Sequence, residues 1–192
     1  MGYTTDFEGS LVFDKPLNQK QREYINRISD TRRMKRDVNK LMELYKGKHG
    51  NPFAKDKTNA QEVYGHDGEF FAMEDGQSGQ LQDDSILDYN CAPGQKGFMQ
   101  GKVEKGQPGL WCGWCIDKNG TELSWDGGEK FYNYVAWLEY LIEKFFKPWG
   151  KKLTGEIYWY GEDRDDIGVI KVRGNEVFTF EGKVSYGEET EG

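Results

Sequence analysis

The sequence predicts an α+β fold, a two-layer sandwich in which a mostly antiparallel sheet carries two main helices on one face. Segments with strand and helix patterns follow one another in the order strand, helix, several strands, helix and three strands. Strands that are adjacent along the chain favour antiparallel pairing, and the helices then gather on one side of the sheet. A ferredoxin-like arrangement is one option for this order of elements.

The first predicted elements are a strand within residues 3–14 and an amphipathic helix that follows it. Apolar residues alternate with polar ones along the strand, as they do when one face is buried. Asn18 is a favourable N-cap, and Gln21 lies three residues later, which is the spacing of a capping box. Leu17 can pack against the first turn as a hydrophobic staple, and apolar residues then recur at helical spacing.

The middle of the chain is predicted to contain two loop insertions, near residues 46–68 and 93–109. Both are interrupted by glycine and proline, which favour turns and loops. Between them, the sequences GEFFAME and SILDYN predict two short strands. The aromatic runs GLWCGWCID and TELSW then flank Asn119-Gly120, a pair typical of a tight hairpin turn.

The clearest helix is predicted within residues 125–150, where apolar side chains form one continuous face until Pro148 and Gly150 end it. Three short strands are predicted after it. We therefore expect a single domain over residues 1–184. Residues 185–192 are polar and acidic, and they predict a flexible tail.

Cys112 and Cys115 form a C-x-x-C pattern that raises the question of a redox or zinc site. On a strand, successive side chains point to opposite faces, so two residues three apart cannot share a metal or a disulfide. Cys91 and the two histidines, His49 and His66, supply no second pair of ligands. The thiols are expected to be packing residues, and we expect no metal and no cofactor.

Composition and charge limit the class of protein. The chain has no apolar run long enough to cross a bilayer. Residues 1–17 do not resemble a signal peptide, so none is expected, and three cysteines are typical of reduced thiols in a cytoplasm. Net charge is -7, but residues 20–57 hold 12 basic and 5 acidic side chains, whereas residues 153–192 hold 4 and 10. Solubility explains this pattern most simply, and a bipolar surface that attracts a charged partner is the alternative.

Arg32, Arg33 and Arg36 lie in the run TRRMKRD, at the predicted end of the first helix. Cations there stabilise the helix dipole, which is the simplest role for them. The alternative is a phosphate-binding site, because arginine offers planar paired donors. Nucleic acid is a less favoured partner, since the chain is acidic overall and has no recognisable nucleic-acid-binding motif.

A second candidate site surrounds the sequence WDGGE, between the predicted hairpin and the second long helix. Glycines permit close approach of the backbone, and N–H groups at a helix start bind anions. Asp126 is predicted to be the N-cap of this helix. Aromatic side chains near this point, together with an arginine, would suit a nucleotide, although an ordinary aromatic core is the simpler interpretation. The candidate residues are Trp111, Trp114, Trp125, Glu129 and Tyr132.

The acidic turn GEDRDD carries Glu162, Asp163, Asp165 and Asp166. A solvated hairpin turn is the simplest interpretation. Carboxylates could instead hold a hard cation, although the spacing is not that of an EF-hand. They could equally bind a basic surface of a partner, because clustered carboxylates imitate phosphate charge. No Ser-His-Asp or Cys-His arrangement is recognisable, so a catalytic role is less favoured than binding.

Six segments carry a resemblance that runs from residue 2 to about residue 177. They are TTDFEGSL, TRRMKRD, SILDYNCAPG, GLWCGW, WDGGEKFYNYVAWLEYLI and GEIYWYGEDRDDIGVIKV. The chain resembles a family of hypothetical proteins of phages, prophages and bacteria. The resemblance supplies no catalytic residues. It implies a cytoplasmic protein of phage or mobile-element setting, in the host cytoplasm if phage-encoded, and small proteins of that setting often inhibit a host system.

The leading functional hypothesis is therefore a non-catalytic binding protein of phage or mobile-element origin that inhibits a host defence protein through a charged surface. One alternative is a small-molecule module that sequesters a nucleotide or another phosphate-bearing anion. The other is a metal-dependent hydrolase. A host protein is the expected partner, a nucleotide-like molecule the second choice, and no membrane contact is expected.

Overall fold

The structure is a computed structural model that describes residues 2–73, 80–95 and 106–185. Its strands are β1 (Thr5–Phe13), β2 (Lys35–Arg36), β3 (Ile86–Asp88), β4 (Trp114–Ile116), β5 (Glu122–Trp125), β6 (Leu153–Gly161), β7 (Ile167–Arg173) and β8 (Glu176–Glu181). Its helices are α1 (Gln19–Asp30), α2 (Val38–Tyr45), α3 (Ala60–Tyr64) and α4 (Tyr134–Leu141). A π-helical turn, Ile142–Phe146, continues α4.

Six strands form one antiparallel sheet in the order β4-β5-β1-β6-β7-β8. The elements β1, α1, β4, β5, α4 and β6 follow the β-α-β-β-α-β order of a ferredoxin-like fold. Strands β7 and β8 extend this sheet beside β6. Strands β2 and β3 form a separate two-stranded sheet, and along the chain they fall between α1 and β4. The predicted α+β class with a mostly antiparallel sheet is confirmed.

Helices α1 and α4 pack on the same face of the sheet and close the main core. Leu11 of β1, Ile25 of α1 and Leu138 of α4 are all fully buried in this one cluster. The capping box of α1 is present, because the Asn18 side chain accepts from the backbone of Gln21 and the Gln21 side chain accepts from the backbone of Asn18. Burial of one helix face together with this cap explains why α1 forms where the pattern predicts it.

Phe7 lies at the centre of the aromatic part of the main core. Its ring makes edge contacts with Trp114, Trp125, Phe131 and Tyr134, at centroid distances of 5.5, 5.5, 5.9 and 4.8 Å. Edge-to-face geometry is the favoured arrangement for aromatic pairs. A chain with few aliphatic residues therefore builds its core from interlocking rings.

The segment between α1 and β4 forms a lobe with its own small core, which the sequence interpretation treated as loops near residues 46–68. Leu41 of α2, Val63 of α3 and Phe71 are fully or almost fully buried there. Helix α3 forms inside the predicted loop because Asn59 caps it and its apolar side chains have a core to enter. Residues 46–68, which were predicted to be a loop insertion, therefore form part of this lobe.

Other predictions in this region had mixed outcomes. SILDYN contains β3, as predicted, but residues 70–73 of GEFFAME form no strand. Met73 instead donates its backbone N–H to the Thr31 hydroxyl in an irregular buried segment. Residues 96–105 of the predicted loop at 93–109, residues 74–79, and 186–192 of the predicted tail lie outside the described residues.

The second long helix begins later than the sequence predicts. Helix α4 starts at Tyr134 with Asn133 as its N-cap, so Asp126 is not the helix cap. Positive φ angles of 82° at Gly127, 62° at Lys130 and 55° at Asn133 interrupt any helix across this segment. Likewise α1 ends at Asp30, so the arginine run leads into β2 and does not lie in the last helical turn. None of the helices in the described ranges is long and apolar enough to span a membrane.

The strand predicted to hold both cysteines begins only at Trp114, so Cys112 precedes it. Cys112 lies in the main core, whereas Cys115 projects from the face of β4 that points away from this core, beside Ser124. Burial raises the pKa of the Cys112 thiol to about 12 and also raises the pKa of Cys115.

A thiol reagent at neutral pH is expected to modify Cys115 in the native protein before Cys112, because access and thiolate content control the reaction. Peptide mapping by mass spectrometry, with Cys115→Ser as control, checks this. Rapid labelling of Cys112, or a Cys112–Cys115 disulfide, would contradict it.

Candidate binding pocket and open sheet face

Arg33 is buried between the lobe and the main core. Its guanidinium donates to the carbonyl oxygens of Phe71 and Glu69 at 2.5 and 2.8 Å and to Oε1 of Gln107 at 3.1 Å. Gln107 in turn donates to the hydroxyl of Tyr140, so the hydrogen-bond network reaches α4. Burial lowers the pKa of Arg33. Its donors hold the lobe in place, and we assign it a structural role.

Arg36 is equally buried and serves the lobe itself. Nη1 donates to both carboxylate oxygens of Asp83 at 2.8 and 2.9 Å, and Nη2 donates to the carbonyl oxygen of Leu81 at 2.8 Å. The guanidinium also lies 4.6 Å from the ring centroid of Phe71. Arg32, by contrast, is partly exposed and stacks on Tyr89 at 4.2 Å. The three arginines proposed as an anion site therefore contact three different sets of protein groups.

A pocket of about 610 Å³ lies between residues 108–113, which precede β4, and residues 126–133, which join β5 to α4. Trp111 and Tyr132 line it with 39% and 51% of their surface exposed. Glu129 lines it as well. The structure thus brings together three of the five candidate residues that the sequence analysis placed near WDGGE.

The remaining two candidates from that region contribute to the core. Trp114 is fully buried, and its Nε1 donates to the Tyr134 carbonyl oxygen at 2.8 Å. Trp125 is half-buried and donates from Nε1 to the carbonyl oxygen of Gly128 at 3.2 Å. Trp114 packs against Phe131, and Trp125 bonds to Gly128, so each ring contacts a residue that lines the pocket. Neither Arg32, Arg33 nor Arg36 is among the lining residues that the structure describes.

The pocket has an acidic character that the sequence analysis did not anticipate. Asp126 and Glu129 line it, and Lys130 is the cationic side chain among the described lining residues. Surrounding protein partly desolvates Asp126, and this burial raises the pKa of its carboxyl group. Asp126 could not be recognised from the sequence as a pocket residue, because its position before two glycines is also typical of a cap.

Two of the four carboxylates in the acidic turn between β6 and β7 accept hydrogen bonds from other parts of the protein. Asp166 accepts from the Tyr3 hydroxyl at 2.6 Å and from Nε1 of Trp159 at 3.0 Å. Glu162 accepts from the backbone N–H of Thr4 at 2.7 Å. These two residues therefore fasten the start of the chain to the turn.

Asp163 and Asp165 complete the acidic turn, and both are exposed. Within the described part of the chain, no group of three or more His, Cys, Asp or Glu side chains is placed to hold a metal ion. The metal-dependent hydrolase hypothesis therefore gains no support from the turn.

The sheet face that points away from α1 and α4, here called the open face, has no described element packed on it. Tyr158 and Tyr160 of β6 and Phe178 and Phe180 of β8 are exposed there, between 41% and 51%. The strand register places Tyr158, Val169 and Phe180 side by side on three neighbouring strands. This patch was not predicted from the sequence, although aromatic residues occupy alternate, solvent-facing positions in β6 and β8.

Carboxylates surround the aromatic side chains of the open face. Asp6 and Glu8 of β1 pair in register with Tyr160 and Tyr158. Lys171 is one cation of the open face, and it forms an ion pair with Glu156 at 2.9 Å. That pair lowers the pKa of Glu156.

Arg173 is the second cation of the open face and lies 5.9 Å from the ring centroid of Phe178. Its register partner on β8 is Glu176, a residue of opposite charge. Each of these two cations of β7 therefore lies beside a carboxylate of a neighbouring strand. The part of the open face formed by β1 and the acidic turn keeps a negative character.

None of the protein-family models, curated proteins and solved structures compared with the chain matches it.

Proposed function

We propose that this chain is a non-catalytic binding protein whose open face binds a basic surface of a partner protein. The observation that carries the proposal is the row of exposed aromatic side chains bordered by carboxylates. In line with the resemblance, we further propose that the partner is a host defence protein, inhibited by a protein of phage or mobile-element origin.

The composition of the open face supports protein binding. Contiguous exposed apolar groups with a polar rim are typical of interaction sites, and aromatic residues contribute most of the energy of many interfaces. Tyr158, Tyr160, Phe178 and Phe180 stand on paired strands, so little conformational freedom is lost when they are covered.

The charge of the open face specifies the kind of partner. Asp6, Glu8, Asp163 and Asp165 are exposed on β1 and on the acidic turn, and they attract lysine- and arginine-rich surfaces and repel nucleic acid. The nucleotide alternative is less well supported, because the arginines that would bind phosphate are engaged with the protein.

Paired variants test this proposal in a host lysate and with the purified partner. The variant Tyr160→Ser/Phe180→Ser removes two rings from the open face. The control Leu44→Ser removes an equally exposed apolar side chain from α2. We expect the open-face variant to weaken binding about tenfold or more at unchanged melting temperature, and the control to bind normally.

The salt dependence of binding provides the second readout. Affinity is expected to fall as ionic strength rises, and Asp6→Asn/Glu8→Gln is expected to reduce both the affinity and its salt dependence. A partner bound equally well by the open-face variant and by the control would contradict the proposal. So would failure of every plausible host to supply a partner at low salt.

A further inference from the structure

We infer that the pocket between residues 108–113 and 126–133 is a binding site for a small organic cation, a guanidinium or amine carried on a compact apolar body. The open face shares none of its residues with this pocket. The inference is therefore independent of the proposed protein partner.

The pocket joins exposed aromatic rings to carboxylates. Trp111 on one wall and Tyr132 on the other each keep more than a third of their surface exposed. Aromatic faces attract cations, and guanidinium groups stack on them. Asp126 and Glu129 on the same walls can accept charge-assisted hydrogen bonds from such a group.

The balance of charge disfavours an anionic ligand. Among the described lining residues, two carboxylates face one cation, Lys130. The stem of Lys130 runs past Gly2, where its Cδ and Cε lie 2.8 Å from the position a Cβ would occupy. A phosphate entering the pocket would meet two negative charges, and the buried arginines lie elsewhere in the fold.

Hydrogen bonds hold the pocket walls in place without a ligand. The backbone N–H of Asp126 donates to the Gly113 carbonyl oxygen at 3.0 Å, and Asn133 donates from its side chain to the Pro108 carbonyl oxygen at 2.8 Å. The backbone N–H of Gly128 donates to Oδ1 of Asp126 at 2.8 Å. The loop thus orients the carboxylate, as in preformed small-molecule sites.

The size of the pocket also fits this ligand class. A volume of about 610 Å³ lies within the range of pockets that bind small molecules. Phe131 forms part of the lining and packs at 5.1 Å against Trp114 of the core. The apolar body of the ligand would rest on this ring while its charged end meets the carboxylates.

A pair of matched probes tests the charge requirement. n-Butylguanidinium and n-butylurea have nearly the same shape, but only the first is charged. In calorimetric titrations of the full chain, we expect n-butylguanidinium to bind at least about tenfold more tightly than n-butylurea, because a charged hydrogen bond is the stronger one. Inorganic phosphate should not bind. The indole NMR signal of Trp111 should shift on addition of n-butylguanidinium.

Variants locate the site. Asp126→Asn keeps the shape of the side chain and is expected to weaken n-butylguanidinium binding about tenfold. Asp84→Asn removes an exposed carboxylate from the lobe and should leave the affinity for n-butylguanidinium unchanged. Equal affinity for the two probes would overturn the inference, as would phosphate binding that Asp126→Asn strengthens. Absence of n-butylguanidinium binding to the folded protein would overturn it too, while leaving the open face untouched.

Discussion

Replacing Phe7 with alanine is expected to lower the free energy of unfolding by about 3–5 kcal/mol, the usual cost of deleting a buried aromatic side chain. Four other rings contact Phe7 edge-on, so the substitution opens a cavity that rigid neighbours cannot fill. Chemical denaturation followed by circular dichroism measures the change.

Phe180→Ala is the matched control for Phe7→Ala, because it deletes the same ring from the exposed face of the same sheet. Its expected effect on stability is within about 0.5 kcal/mol, as for most surface substitutions. Similar losses in the two variants would mean that the open face is covered in solution. That result would also count against the proposed binding surface.

Replacing Arg36 with methionine is expected to lower the free energy of unfolding by about 3–5 kcal/mol, because it leaves the Asp83 carboxylate without its cation. Arg32→Met makes the same chemical change at a partly exposed position and is expected to cost less than about 1 kcal/mol. Equilibrium denaturation of both variants, with the lobe followed by hydrogen exchange, measures the difference. Equal losses would contradict the structural role assigned to Arg36.

The loss in free energy of unfolding caused by Arg36→Met should depend on pH. Burial opposes ionisation of Asp83, but hydrogen bonds from Ser85 and Tyr45 and the charge of Arg36 together lower its pKa. A carboxyl group with a lowered folded-state pKa stabilises the protein above its ordinary pKa, and that contribution is lost as the pH falls. The difference between wild type and variant is therefore largest near neutral pH and shrinks below about pH 4.

Local patterns predicted the elements that depend on neighbouring residues. Asn18 and Gln21 cap α1 as their spacing indicates. Asn119-Gly120 lies in the connection from β4 to β5, but this connection is longer than the predicted tight turn, since Ile116 is in register with Leu123. Alternation marked β1, because a half-buried strand imposes that period on its sequence. The fold class followed from the order of these elements.

Contacts between distant residues could not be predicted in the same way. Arg36 and Asp83 lie 47 positions apart, so the sequence offered no reason to pair them. The arginine run consequently suggested an anion site. Likewise Val63 and Tyr64 are buried in a core that forms only when α2 and α3 pack together. Their segment resembled a loop because the local sequence pattern does not show packing between helices that are distant along the chain.

The aromatic candidates illustrate the same limit within one site. Trp111 and Trp114 are separated by two residues, yet one lines the pocket and the other is fully buried. Which of the two faces solvent depends on where β4 begins, and element boundaries are the least certain part of a sequence-based prediction.

Strand β8 ends the sheet, and in the described residues its outer edge has no hydrogen-bonding partner strand. Such an edge can recruit another chain and lead to aggregation. Two copies of β8 aligned antiparallel about their midpoint would set Glu176 of each copy against Glu181 of the other. Like charges facing each other across a strand pair are destabilising. Repulsion between the carboxylates at the two ends of β8 therefore disfavours edge-to-edge pairing of two copies in this register.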